Sequence, residues 1–328
     1  MNDLARELET ALRAVRSASV ATRAVQTSLR GSALEKSDRS PVTVADYAAQ
    51  ALICRALGVA FPGDPIVAEE DMDTLRAPRA EALRGQLLKV LEPFGLAKIS
   101  AVLEAIGRGA ANTAGERAWT LDPIDGTKGF LRGDHYAIAL ALLVDGRPEI
   151  GVLGCPRLDC DGRSGTLLWA LRGRGAFHAP LDLDDDADPL AQARPVKVSG
   201  ELDPAALRLC ESFESGHSAH GQSAQMQRQW GMTAAPVRMD SQAKYGVLAR
   251  GEAEVYARLP TRADYQEKIW DHAAGVLLVE EAGGRVSDLD GRPLDFSAGR
   301  TLRHNRGVLA SHGPHHEQLL AALGRVTP

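Results

Sequence analysis

The chain has 328 residues, 44% hydrophobic and 25% charged, a composition that excludes wholesale disorder and supplies apolar surface for a sizeable core. Thirty-eight Lys and Arg against 43 Asp and Glu leave a formal charge of −5 with no long basic run, which argues against a partner gripped by its nucleic-acid backbone. The length exceeds the usual single-core size, so two packed lobes are expected.

Cys54, Cys155, Cys160 and Cys210 form no Cys-x-x-Cys pair, and Glu7 and Glu9 interrupt the apolar stretch that a signal peptide needs. No segment has the apolar length of a membrane span. These features predict a cytoplasmic, reducing setting, buried unpaired thiols and no membrane partner.

Leu4, Leu8, Leu12, Val15, Ala18, Val25 and Leu29 recur at helical spacing and predict one amphipathic helix from residue 3 to about 30, ending near Gly31. A second helix is expected after Pro41-Val42-Thr43, with Thr43 and Asp46 as a capping box and Asp46 in the first turn. Pro65 to Ala68 reads as a strand that delivers Glu69-Glu70-Asp71 to its end, a common place for a site. From Met72 to Glu116 a helical pattern broken by Pro78 and Pro93 predicts a mobile helical insert.

Trp119-Thr120-Leu121 enters as a strand, and Tyr136 to Val144 turns at Asp145-Gly146 into Ile150 to Leu153 as a hairpin. Leu167 to Ala170 and Gly175 to Phe177 add strands, giving helices packed on a mainly antiparallel sheet. Leu181 to Asp188 carries five aspartates in eight residues without calcium-loop spacing and reads as a solvated linker. It divides an N-terminal α+β lobe, 1–185, from a C-terminal α/β lobe, 186–328. In the latter, strands at Leu207 to Leu209, Val237 to Met239 and Glu254 to Tyr256 alternate with helices at Ser241 to Leu248 and Asp271 to Glu281.

The chemistry concentrates in Leu121-Asp122-Pro123-Ile124-Asp125-Gly126-Thr127-Lys128-Gly129-Phe130. Asp122, the Ile124 carbonyl and Asp125 can converge on one cation, and an all-oxygen donor set suits Mg²⁺ or Mn²⁺ rather than zinc. The same residues could form a plain Asp-Gly turn. Glu69, Glu70, Asp46 and Asp271 are further acids at element ends. Asp46 and Asp271 could each be only a helix cap, but together the acids outline a cluster that close-packs ionised only around cations.

The amides of Gly126 and Thr127 could hold a phosphate oxygen, and the Thr127 hydroxyl could orient a water with Asp46 as proton acceptor. Thr127 could instead merely cap its turn. In the second lobe Ser241 and Lys244 share a helix start, Arg258 ends a strand and His217 lies in a Gly-His-Ser-Ala-His loop. All four could bind the non-reacting part of a phosphorylated ligand, or be ordinary surface polarity.

Read together, Val67-Ala68-Glu69-Glu70, Asp122-Pro123-Ile124-Asp125-Gly126-Thr127 and Ile269-Trp270-Asp271-His272-Ala273-Ala274-Gly275 resemble the lithium-sensitive, magnesium-dependent phosphomonoesterase superfamily that includes inositol monophosphatase. The stretches Lys36 to Tyr47, Asp125 to Phe130, Asp240 to Tyr245 and Tyr265 to Asp271 are most similar to its 3′(2′),5′-bisphosphate nucleotidase branch. Similarity runs from about Leu34 to Ser311. Ala68 stands where the family usually has glycine, and the 72–116 insert matches poorly.

The resemblance implies a five-layered α-β-α-β-α sandwich of the sugar-phosphatase type. It implies removal of the 3′-phosphate of 3′-phosphoadenosine 5′-phosphate, with 3′-phosphoadenosine 5′-phosphosulfate as a second substrate, by in-line attack of a metal-activated water. By motif match, Glu69, Asp122, Ile124 through its carbonyl, Asp125 and Asp271 would be metal ligands, and Asp46 and Thr127 would activate the water. Gly126, Thr127, His217, Ser241, Lys244, Arg258 and Asp271 would contact substrate. Two or three Mg²⁺ ions, Mn²⁺ as a substitute, inhibition by Li⁺, a small phosphorylated nucleotide as partner and a monomer or weak homodimer complete the implied picture. The competing readings are an inositol or sugar phosphate hydrolase of the same superfamily and a non-catalytic phosphonucleotide sensor.

Overall fold

Strand residues alternate faces, so a strand apolar at every position must be covered on both sides. That pattern organises the computed structural model, which describes residues 4–29, 40–112, 115–182, 188–213, 220–260, 262 and 264–323. The first half comprises α1 (Ala5–Leu29), α2 (Ser40–Ala60), β1 (Ile66–Ala68), α3 (Asp73–Arg76), α4 (Glu81–Leu91), α5 (Ile99–Gly107), β2 (Arg117–Asp125), α6 (Thr127–Arg132), β3 (Ala137–Val144), β4 (Arg147–Cys160), β5 (Arg163–Leu171) and β6 (Gly175–Pro180). It continues with β7 (Arg194–Val196), β8 (Leu209–Glu211), α7 (His220–Trp230), β9 (Val237–Arg238), α8 (Ala243–Ala249), β10 (Val255–Arg258), α9 (Ala273–Glu281), β11 (Arg285–Ser287), β12 (Val308–Ser311) and α10 (His316–Leu323).

β1 to β7 form a seven-stranded sheet in sequence order, antiparallel except for the parallel β1–β2 pair. β7 lies beyond the acidic stretch yet belongs to this first sheet. In β3, Ile138, Leu140 and Leu142 face α1 and α2, whereas Ala139, Ala141 and Leu143 face α8 and α9. Small residues mark close approach: a side-chain carbon on Gly151 would sit 2.7 Å from the Ala274 carbonyl oxygen of α9. The β3–β4 hairpin turns on Asp145 (φ 50°) and Gly146 (φ 70°), the left-handed pair that a two-residue turn of matching twist requires.

The second sheet runs β11-β12-β10-β8-β9 and is covered on its outer side by α7 and α10 through Met226, Trp230, Leu319 and Leu323. With α8 and α9 between the sheets, the five-layered α-β-α-β-α order is complete. Each fully buried Leu or Val in these layers contributes about 1.5–3 kcal/mol. The helices of the 72–116 insert pack on α2 through Leu75, Leu87, Leu91, Val102 and Ile106.

Several local expectations change. α2 begins at Ser40, so Thr43 lies inside the helix rather than capping it, and Asp46 is in the second turn. Leu207 and Arg208 precede β8, because a 3-10 turn occupies Pro204–Ala206 and the Arg208 amide donates to the Glu254 carboxylate at 2.6 Å. α8 starts at Ala243, since Ser241 takes a left-handed φ of 68°. Asp271 ends a 3-10 turn, Ile269–Asp271, and α9 opens only at Ala273, so Asp271 does not cap that helix. All four cysteines are free and buried. Among the described residues no helix is long and apolar enough to cross a membrane.

Candidate active site

In a regular strand, residues three apart point to opposite faces. Asp122 and Asp125 do not, because β2 carries a bulge between them: Asp122 pairs with Ala139 while Asp125 pairs with Ala137. Three steps on β2 therefore match two on β3, which turns both carboxylates to the face that looks toward the second sheet. Pro123, which has no N–H to give to the ladder, sits inside that bulge.

β1 runs parallel to β2, and the Glu69 amide donates to the Leu121 carbonyl at 3.2 Å, so Glu69 emerges beside Asp122. Burial, followed by the charges of Asp271 and Glu70, pushes the Glu69 carboxyl up to about 7. Burial also raises Asp122 well above the carboxylate range, reinforced by Glu69, Asp125, Asp271 and Asp46. Asp271 is pushed up to about 6 by burial, with Arg258 opposing.

From the second lobe, the Asp240-Ser241-Gln242 turn closes on this cluster. The Gln242 amide donates to Asp125 Oδ2 at 2.5 Å, and its side chain donates to the Trp270 carbonyl at 2.8 Å. Gly126 (φ 89°) tolerates the approach, since a side-chain carbon there would lie 2.9 Å from Ser241 Cβ. Arg132 pairs with Asp240 across the lobes.

Arg258 ends β10 with its Nε 2.9 Å from Glu267 and its Nη2 3.4 Å from Asp271. Lys244 Nζ lies 2.9 Å from Ser212 Oγ and 5.2 Å from the Tyr256 ring centre, and burial lowers its pKa. A cavity of about 570 Å³ is lined by Glu69, Asp122, Asp125 and Asp271 together with Lys244, Tyr256 and Arg258. That volume is in the range of small-molecule sites.

The residues singled out in the sequence fare differently. Ile124, Gly126, Thr127 and Ser241 also line the cavity. Asp46 is buried beside it, facing Glu69 and Glu70, and its pKa is raised by burial and then by those charges. Among the described residues no hydrogen bond joins Asp46 to Thr127, which is exposed at the first position of α6. His217 lies outside the described residues. Gln242, Asp240, Ser212, Tyr256 and Glu267 join the site without a chemical signal of their own in the sequence, although Asp240 to Tyr245 and Tyr265 to Asp271 are stretches that carry the family resemblance.

The donor set fits a hard divalent cation. It consists of carboxylate and carbonyl oxygens, and Asp122 Oδ1 is buried without a hydrogen-bond partner, an atom whose missing partner a cation would supply. Glu267, Asp271 and His272 also present ligand atoms within 4.8 Å of one another. That trio is already satisfied: His272 bridges Tyr245 at 2.7 Å and Glu267 at 3.1 Å, and Arg258 takes the Glu267 carboxylate. Despite burial, those contacts hold Glu267 below the usual range.

Comparison with known proteins agrees with this architecture. The model of the inositol monophosphatase family matches residues 3–327. A 3′(2′),5′-bisphosphate nucleotidase of Schizosaccharomyces pombe is 42% identical over 342 residues, covering 98% of this chain and 96% of the relative. The enzyme of the same name from Emericella nidulans is 40% identical over 95% of this chain and 96% of its own. Among solved structures, inositol monophosphatase from Anabaena superposes with a TM-score of 0.64 at 22% identity, covering 100% of this chain and 98% of that one. With the match spanning both sheets and the acid-lined cavity between them, the chain belongs to the inositol monophosphatase family.

Proposed function

We propose that this protein is a Mg²⁺-dependent 3′(2′),5′-bisphosphate nucleotidase that hydrolyses the 3′-phosphate of 3′-phosphoadenosine 5′-phosphate to AMP and phosphate. The sulfated analogue, 3′-phosphoadenosine 5′-phosphosulfate, is a second substrate in this reading. The observation that carries it is one cavity lined both by Glu69, Asp122, Asp125 and Asp271, a donor set suited to cations, and by Lys244 and Arg258, which suit a second anionic group. Relatives near 40% identity over nearly the full chain bear the nucleotidase name.

Glu69, Asp122, the Ile124 carbonyl, Asp125 and Asp271 would hold Mg²⁺, with Mn²⁺ as a substitute and Li⁺ as an inhibitor at the same oxygens. Such cations supply Lewis-acid charge that offsets the carboxylates and polarises the phosphate. Gly126 and Thr127 would hold phosphoryl oxygens through their main-chain amides. The Thr127 hydroxyl would orient the attacking water, and Asp46 would accept its proton. The water oxygen would bond to phosphorus as the bond to the 3′-oxygen breaks, and the departing 3′-oxygen would take a proton from solvent to become the ribose hydroxyl while Asp46 returns the one it accepted, leaving inorganic phosphate. Lys244 and Arg258 would pair with the 5′-phosphate, and Ser241 and His217 would contact the nucleotide. The four buried free thiols suit a reducing compartment.

Phosphate release with Mg²⁺ from the bisphosphate nucleotide and from inositol 1-phosphate tests this reading. Turnover of the nucleotide at a kcat/KM at least about 100-fold higher is expected, a difference of about 2.7 kcal/mol. The reverse preference would replace the nucleotidase with an inositol phosphatase, and tight binding without turnover of either would make the protein a sensor.

A further inference from the structure

Arg300 touches both chain segments that carry the acidic cluster, the one leading to Glu69 and the one leading to Asp271. Its carbonyl accepts the Ile269 amide at 3.2 Å, Thr301 bridges Lys268 in antiparallel fashion, and the Leu302 amide donates to the Glu267 carbonyl at 2.8 Å. The backbone of this segment thus braces the turn that presents Asp271. The side chain reaches the other way: Nη2 donates to the Ala68 carbonyl at 2.8 Å and Nη1 to the Ala111 carbonyl at 3.2 Å. Between those ends the guanidinium lies 4.6 Å from the Trp270 ring centre. Ala68 directly precedes Glu69, and Trp270 directly precedes Asp271. Gly299 (φ 92°) permits this docking, since a side-chain carbon there would lie 3.1 Å from the Asn112 carbonyl.

We propose that Arg300 is a positioning residue that fixes the separation of Glu69 from Asp271 and thereby sets the affinity of the site for its divalent cations. The inference rests on the reading of those two carboxylates as metal ligands. Only a planar, permanently charged fork can serve two carbonyls at once while stacking on an indole; a lysine ammonium would keep the charge and lose the geometry.

Calorimetric Mn²⁺ binding to the substrate-free protein tests the inference, using Arg300→Met and Arg300→Lys beside wild type and Asp271→Asn, with melting of the metal-free proteins as the folding control. Partners that orient metal ligands are commonly worth about 10–100-fold in affinity. Arg300→Met should therefore weaken Mn²⁺ binding by at least about tenfold, and Arg300→Lys by less but measurably. In turnover, the metal concentration for half-maximal rate should rise in proportion, while KM for the nucleotide at saturating metal stays unchanged. Wild-type Mn²⁺ affinity in either folded variant overturns the proposal, and Arg300→Lys decides it if Arg300→Met does not fold. A wild-type protein without Mn²⁺ binding that Asp271→Asn removes would instead sink the metal reading itself.

Discussion

Asp122 is the residue at which the proposed function and stability pull most clearly in opposite directions. Its carboxyl is buried, one oxygen lacks a partner, and Glu69, Asp125, Asp271 and Asp46 crowd it with like charge. Asp122→Asn removes the ionisable group and keeps the shape. In metal-free protein this substitution should raise Tm by about 1–2 °C, equivalent to about 1 kcal/mol, while activity with Mg²⁺ falls at least about 100-fold. Scanning calorimetry in EDTA and a phosphate-release assay check the pair of outcomes; wild-type activity in the variant would remove Asp122 from the site. The two aspartates stand out in the sequence as oxygen-rich residues at short spacing, and the structure brings both to one cavity. The bulge that turns them to one side was not legible, because it exists only relative to Ala137 and Ala139 on the partner strand. Arg300 was not legible for the same kind of reason: its partner Ala68 lies 232 residues away.

At the scale of elements, long periodic segments were readable and their ends were less so. α1 follows from its apolar spacing within a residue or two, whereas α2 starts three residues before Thr43, helix ends being the least sharply specified part of an element. The start of α10 holds a testable device that no motif revealed. His316 is buried, with Nδ1 2.8 Å from Ser311 Oγ and Nε2 2.9 Å from Ser287 Oγ, which ties the helix to β11 and β12. Burial, then the charge of Arg285, push its pKa down to about 4, with Glu317 opposing. The unfolded chain takes up a proton near pH 6.5 that the native ring refuses. The stabilisation is therefore full above about pH 6.5 and is lost as pH falls toward about 4, by on the order of 1–3 kcal/mol. Urea midpoints measured across that window should drop less steeply in His316→Gln than in wild type; equal slopes would contradict a neutral buried ring.

The whole molecule is organised so that neither half owns the site. The seven-stranded sheet supplies Glu69, Asp122 and Asp125, and the second lobe supplies Asp271, Lys244 and Arg258, with α8 and α9 packed between the sheets. Layer order was legible only through the motifs that resemble a known family; the strand and helix patterns alone gave helices on a mainly antiparallel sheet followed by an α/β lobe. How closely the two lobes bring their acids together depends on contacts such as Gln242 to Asp125, which couple residues more than 100 positions apart and leave no periodic trace. The most direct test is anomalous diffraction from crystals grown with Mn²⁺ and AMP. The account predicts metal peaks coordinated jointly by Glu69, Asp122, the Ile124 carbonyl, Asp125 and Asp271. Ordered crystals at saturating Mn²⁺ with no peak among those oxygens would contradict it.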